Sequence, residues 1–273
     1  MHHPALRRIE AYYDAAPRSG ARAEDHGPLT LFVSERPGWH YYARPRLARP
    51  ASIAAADVAV VRARQRAAGV PEAFEWVGEV TPSLRPAAEA AGLTVHEHPL
   101  MVLDPTAFRA APPAAVPEGV EVRPVAWDDP DLAALRAVAD VGFSTPGTAA
   151  GAAGREALAA AAARNDAGGV ETLRGRLRSG LTVMVAASDG EGPLSVGSHQ
   201  PVAGVTEVVG VATLPAARRR GLAAAVTVAL VEDALGRGCE VVFLSAGDEA
   251  VARIYRRLGF RDAGTALIAE PHA

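Results

Sequence analysis

The chain contains no lysine; all 28 of its basic residues are arginine, and together with the abundance of alanine, glycine and proline this points to a GC-rich coding genome. No Gly-Lys-Ser/Thr run exists, so an ATP-type phosphate loop is disfavoured. There is one cysteine, Cys239, which cannot form an internal disulfide. Beside Gly238, before an apolar strand and without an evident base, it reads as a core residue rather than a nucleophile. Charge of one sign is also lacking. The net charge is −3 over 273 residues, with arginines scattered among carboxylates, which excludes the basic surface that nucleic acid requires. The apolar stretch at residues 222–231 falls well short of the roughly 20 residues needed to cross a bilayer. His2, His3 and Pro4 lack the charged-then-apolar pattern of a signal peptide. The expectation is a cytoplasmic protein without nucleic-acid or membrane partners.

What is present is apolar bulk: 49% of residues are hydrophobic, enough for one large domain or two modest ones. Residues 104–118 break every periodic pattern, and Pro112, Pro113 and Pro117 remove backbone donors, so a domain boundary is expected there, between 1–110 and 120–273. After it, residues 120–124 alternate like an edge strand. Helical spacing follows at 132–141, 149–163 and 170–178. Three β-branched runs, 181–187, 194–202 and 205–214, are separated by glycine-containing turns and predict an antiparallel meander. Then come a helix at 222–235, a strand at 240–245, a helix at 249–258 ending at Gly259, and a last strand at 264–269.

The segment that carries chemistry is Arg218-Arg219-Arg220-Gly221-Leu222-Ala223, where a strand runs through Pro215 into a helix. A helix N-terminus presents unpaired N–H groups and partial positive charge, so it can hold a pyrophosphate. Gly221 and Ala223 are small where a phosphate would approach, and the arginines add countercharge. A basic turn before a helix is common in itself. It gains meaning from a second segment further on, Asp248-Glu249-Ala250-Val251-Ala252-Arg253-Ile254-Tyr255, which leads into Leu258-Gly259-Phe260.

As a pair, over roughly residues 120–273, these segments resemble the coenzyme-A signature of the GNAT acetyltransferase superfamily. The resemblance implies an α/β fold with a mixed, mostly antiparallel sheet flanked by helices, and acetyl-CoA as cosubstrate. It implies that Val211, Ala212 and Thr213 offer backbone groups to the pantetheine arm, and that Arg218, Arg219, Arg220, Gly221, Leu222, Ala223 and Ala224 form the pyrophosphate turn. Tyr255 matches the general acid that protonates the departing thiolate. Glu207, eleven residues before Arg218, stands where some members place a general base, although a solvent-facing strand glutamate fits equally. An N–H beside Val211 is placed to steady the thioester oxygen. Asp248 replaces the family's usual asparagine. It suits a helix N-cap as well as a coenzyme contact, and Ser245 is available to take over part of the latter.

The implied activity is acetyl transfer to a small-molecule or peptide amine by direct attack; the other function class is a binding module that senses acyl-CoA without turnover. A lysine-free chain offers no side-chain amine of its own, so the acceptor comes from outside. The segment 143–147 lies where the family builds its acceptor pocket. No metal is expected, since His96 and His98 lack further ligands at suitable spacing.

The N-terminal half echoes the C-terminal half faintly. Ala67-Ala68-Gly69 falls on Gly236-Arg237-Gly238, Phe74 falls on Phe243, and Ala91-Gly92-Leu93 falls on Leu258-Gly259-Phe260. Pro50 and Ser52 fall in the phosphate turn and Ala88 on Tyr255. A smaller, degenerate GNAT-like domain without a coenzyme site is therefore expected at 1–110.

Overall fold

The computed structural model describes residues 3–34, 40–47, 52–112, 114–165 and 167–272. Pro50, expected to spoil a phosphate turn, lies outside these residues, whereas Ser52 lies within them. Contacts divide the chain into one unit of Met1–Met101 with Asp262–Ala273 and another of Val102–Arg261.

The first unit opens with α1 (Leu6–Ala15), which buries Leu6, Ile9 and Tyr13 on one helical face. The hairpin of β1 (Ala21–His26) and β2 (Leu29–Ser34) follows, and β3 (Arg44–Pro45) adds antiparallel to β2. Next come α2 (Ala55–Ala68), β4 (Phe74–Val77), α3 (Leu84–Ala90) and β5 (Leu93–Leu103). The second unit holds α4 (Pro105–Ala110), β6 (Glu121–Pro124), α5 (Leu132–Phe143), α6 (Arg155–Arg164), α7 (Ala167–Arg178), β7 (Val183–Asp189), β8 (Gly192–Val202), β9 (Val205–Thr213), α8 (Leu222–Gly236), β10 (Val241–Ser245) and α9 (Glu249–Arg257), and β11 (Phe260–Pro271) ends the chain.

In the first unit β11 lies between β4 and β5 and pairs antiparallel with β4, Ala266 facing Val77 and Ala269 facing Phe74. Leu267 and Ala269 thereby join Phe74, Trp76, Val58, Val61 and Leu84 in one apolar cluster. The last strand is longer than the expected 264–269, and from Asp262 onward it belongs to this unit rather than to a domain at 120–273. The alternation of residues 266–269 marks a strand but carries no label for its partner. A single parallel bridge, Ala43 to Phe74, links β3 to β4. Just past it, Arg44 Nη2 donates to Glu75 Oε2 at 2.6 Å, and its guanidinium lies 4.0 Å from the centre of the Tyr13 ring. The Val77 N–H donates to Glu10 Oε1 at 2.6 Å.

In the second unit the strands run β10-β9-β8-β7-β6, antiparallel except for the parallel pair β9 and β10. The meander and the mixed, mostly antiparallel sheet are as expected. Helix α8 packs on one face because Gly197 gives it room: a Cβ there would meet Leu230 Cδ1 and Val226 Cγ1 at 2.9 Å. Helix α5 packs on the other face, where a Cβ on Gly142 would sit 2.9 Å from that of Ala212. Val226 and Leu230 are fully buried, and each such side chain stabilises the layer by about 1.5–3 kcal/mol.

Two expectations are corrected. Residues 104–118 break every periodic pattern in the sequence and were expected to mark a domain boundary, yet α4 forms there because Asp104 caps the N–H groups of Thr106 and Ala107 at 2.9 and 3.1 Å, with Pro105 in the first turn. The helix expected from 149 begins only at Arg155. The stretch before it is held extended against the turn after β9, where Gly151 N–H donates to Pro215 O at 3.1 Å and Ala216 N–H donates to Ala153 O at 3.0 Å.

Candidate functional site

The site is built where β9 leaves β10. Their parallel ladder covers three pairs, Val205 with Val241, Thr206 with Val242 and Glu207 with Phe243. Beyond Glu207 and Phe243 no further pairing joins them among the described residues, although β9 continues to Thr213. In the stretch not paired with β10, β9 carries a bulge: Gly210 and Val211, between Val209 and Ala212, oppose the one residue between Ser198 and Val196 on β8. Gly210 makes this possible with φ +64. The bulge re-aims the backbone around Val211. The carbonyl of Ala212 accepts the Ser195 hydroxyl at 2.8 Å, and Ser195 Oγ lies 2.9 Å from Thr213 Oγ1.

The pleat fixes where Glu207 points. His199 on β8 reaches Asp233 of α8, so its neighbour Gln200 faces the opposite side, and Glu207 pairs with Gln200. Half-buried Glu207 therefore projects on the α5 face of the sheet.

After β9 the chain turns through Pro215–Ala217 into Arg218-Arg219-Arg220-Gly221. Arg219 holds φ +68, costly for a residue with a Cβ, and Gly221 holds φ +80. Helix α8 then starts with no side-chain cap, which leaves its first N–H groups without a side-chain partner. Gly221, Arg219 and Arg220 are exposed there, with Ala223 and Ala224 half-buried behind them. A Cβ on Gly221 would stand 3.0 Å from the Ala115 carbonyl oxygen, so the turn is a cradle that a side chain would fill. Arg220 also bears on Asp189, whose carboxyl is held below its usual range: burial opposes the shift, but hydrogen bonds from the Glu191 N–H and Arg155 outweigh it.

Tyr255 lies six residues into α9, roughly 9 Å along the helix axis from Glu249. Its ring is buried and meets Phe260 edge-on, the centroids 5.9 Å apart. Burial alone pushes its phenol up to about 12, so it remains protonated at neutral pH.

Two residues expected to touch a coenzyme have their side chains committed elsewhere. Asp248 caps α9, accepting the Val251 N–H at 2.7 Å. Arg218 points back towards α5 and donates to four backbone carbonyls. Ser245 ends β10, half-buried. The Ser195 and Thr213 hydroxyl pair and the approach of Ala115 to Gly221 were not anticipated. Both are contacts between distant parts of the chain, for which the sequence carries no local signal. Cys239 is buried, with its thiol pushed up by that burial, in keeping with a core role. Among the described residues no group of His, Cys, Asp and Glu is arranged to hold a metal ion, and no helix is long and apolar enough to cross a membrane.

The site thus combines a parallel strand pair that parts at a bulge, an uncapped helix N-terminus and a buried tyrosine. Residues 159–260 match the sequence model of the Acetyltransferase (GNAT) family, so the second unit carries a GNAT domain. The fold agrees along the whole chain. A GCN5-related N-acetyltransferase from Kribbella flavida aligns with TM-score 0.70 and 23% identity, over 98% of this chain and 96% of that one. An acetyltransferase of the GNAT family from Novosphingobium aromaticivorans aligns with TM-score 0.57 and 18% identity, over 99% and 100%. A tandem GNAT protein from the clavulanic acid biosynthesis pathway aligns with TM-score 0.53 and 15% identity, over 98% and 95%. No curated protein matches the sequence.

Proposed function

We propose that the chain transfers an acetyl group from acetyl-CoA to an external amine by direct attack. The observation that carries this is the end of the β9 and β10 ladder at Glu207 and Phe243, which leaves a gap bordered by the bulge at Gly210 and the open N-terminus of α8. The pantetheine arm lies in the gap against Val211, Ala212 and Thr213. The pyrophosphate rests on Arg219, Arg220, Gly221 and the N–H groups of Leu222, Ala223 and Ala224.

An ammonium group has no lone pair, so Glu207 takes its proton before attack. A backbone N–H beside Val211 donates to the carbonyl oxygen as negative charge builds there. As the carbon–sulfur bond breaks, Tyr255 gives its phenolic proton to the departing sulfur. The acceptor is a small molecule or a peptide with a free amine, and the setting is the cytoplasm.

The first unit is a degenerate GNAT-like copy that binds no coenzyme. Its parallel bridge at Ala43 and Phe74 is followed at once by the buried Arg44 and Glu75 pair, and Ala88 stands in the apolar cluster where the other unit has its tyrosine. Calorimetry should give one coenzyme A per chain. Steady release of free thiol on adding members of an amine panel tests turnover. Binding of acetyl-CoA with no amine-dependent release would instead mark the chain as a sensor.

A further inference from the structure

We propose that Arg218 is a positioning residue for the acceptor side of the site and not a phosphate ligand; this rests on the acyl transfer proposed above. Its guanidinium ties residues 142–149 to the end of β9. Nη2 donates to Gly142 O and Thr145 O, both at 2.7 Å, and Nη1 donates to Ala149 O at 3.1 Å. Nε reaches Thr213 O at 3.4 Å, the longest of the four. A guanidinium has five N–H groups, and its edges grip a phosphate two at a time. Here both forks that include Nη2 are spent on carbonyls, so a single Nη1 proton remains. Arg219 and Arg220, both exposed, are the residues left to meet phosphate charge.

The tie is part of a longer seam. Gly142, Gly151 and Gly154 each press a bare Cα against the 212–216 stretch: a Cβ at these positions would meet Ala212, Pro215 and Ala216 at 2.9, 3.1 and 3.2 Å. Gly151 N–H to Pro215 O and Ala216 N–H to Ala153 O close the seam further along. Residues 142–154 therefore lie along β9 and its turn, and Gly142 sits on the same face of the sheet as Glu207. On this proposal the acceptor amine reaches Glu207 past this segment, whose position is set by a residue at the start of the arginine turn. Arg218 thus links the two substrates' walls through covalent neighbours.

The test compares Arg218→Ala and Arg218→Lys with the parent in three measurements: coenzyme A titration by calorimetry, amide exchange of peptides covering 142–154, and steady-state kinetics with an amine from the panel. Coenzyme affinity should stay within about 3-fold, exchange at 142–154 should rise about 10-fold or more, and the acceptor KM should rise about 10-fold with kcat little changed. Lysine, with three donors on one nitrogen, should recover part of the loss. Should Arg218→Ala not fold, Gly151→Val, which drives the segment off Pro215 while leaving Arg218 in place, should give the same pattern. A fall in coenzyme affinity of about 10-fold with unaltered exchange would make Arg218 a phosphate ligand and overturn the proposal. So would looser 142–154 with an unchanged acceptor KM. A parent protein that releases no thiol with any amine would sink acyl transfer itself, while exchange and titration would still decide between tether and phosphate ligand.

Discussion

His199 Nε2 lies 2.9 Å from Asp233 Oδ1, joining the buried middle of β8 to the last turn of α8. On its other side Nδ1 is 3.0 Å from Thr206 Oγ1. A neutral ring donating from Nε2 and accepting at Nδ1 satisfies both contacts. Burial depresses the proton affinity of His199 against the opposing pull of Asp233. Asp233 is itself held low: burial opposes this, but hydrogen bonds from Arg237 and His199 prevail.

With its folded pKa below the ordinary 6.5, His199 contributes stability that is present above that value and lost as pH falls through the folded one. Thermal midpoints of the parent should therefore drop relative to those of His199→Gln as pH falls below 6.5. Parallel curves for the two proteins across that range would show that the ring is not buried neutral.

Glu10 should behave in the opposite sense. Burial raises its carboxyl from 4.5 to about 7, against the lowering pull of the Val77 N–H and Arg44. The folded state holds the proton longer than the unfolded one, so stability declines as pH rises from 4.5 to 7. Glu10→Gln keeps an acceptor for Val77 without the charge. In urea unfolding at pH 8 it should be more stable than the parent by about 1–3 kcal/mol, with no gain at pH 4. A gain independent of pH would contradict a titrating Glu10.

Tyr255→Phe should lower kcat by about 100-fold or more while coenzyme affinity stays near that of the parent. The parent phenol titrates near 12, so any loss of activity near pH 8 to 9 belongs to another group and should persist in the residual activity of the variant. Equal kcat in the two proteins would remove Tyr255 from the mechanism.

Gly221→Asp should abolish measurable coenzyme binding. It places a side chain at φ +80, presses it towards the Ala115 carbonyl, and sets a negative charge at the head of α8. Circular dichroism should remain that of the parent, since Gly221 is exposed and outside the core. Unchanged affinity would mean that the turn holds something other than a pyrophosphate.

The parts of this molecule legible in its sequence are local. Helix α8 after the arginine turn, and α9 with Asp248 at its head and Gly259 at its end, follow from residues within one or two turns of each other. Asp104 and Pro105 were equally local start signals, but the prolines that follow masked them. What sequence could not convey was pairing at a distance. Gly151 and Gly154 sit in an alanine-rich run that scores as helix, and only their contact with Pro215 and Ala216, some 60 residues on, shows that glycine is there for closeness. Arg218 resembled its arginine neighbours until its carbonyl partners were seen.

The place of β11 has a consequence in time. The first unit needs residues 266–269 to pair with β4, yet about 160 residues separate them from Met101. At translation rates of about 5–20 residues per second, the edge of β4 waits roughly 10–30 s for its partner. During that interval Phe74 and Trp76 lack the apolar cover of Leu267 and Ala269, and a strand edge is open to pairing with another nascent chain. The yield of folded protein should therefore depend on how well the cell shields the chain before its last strand arrives.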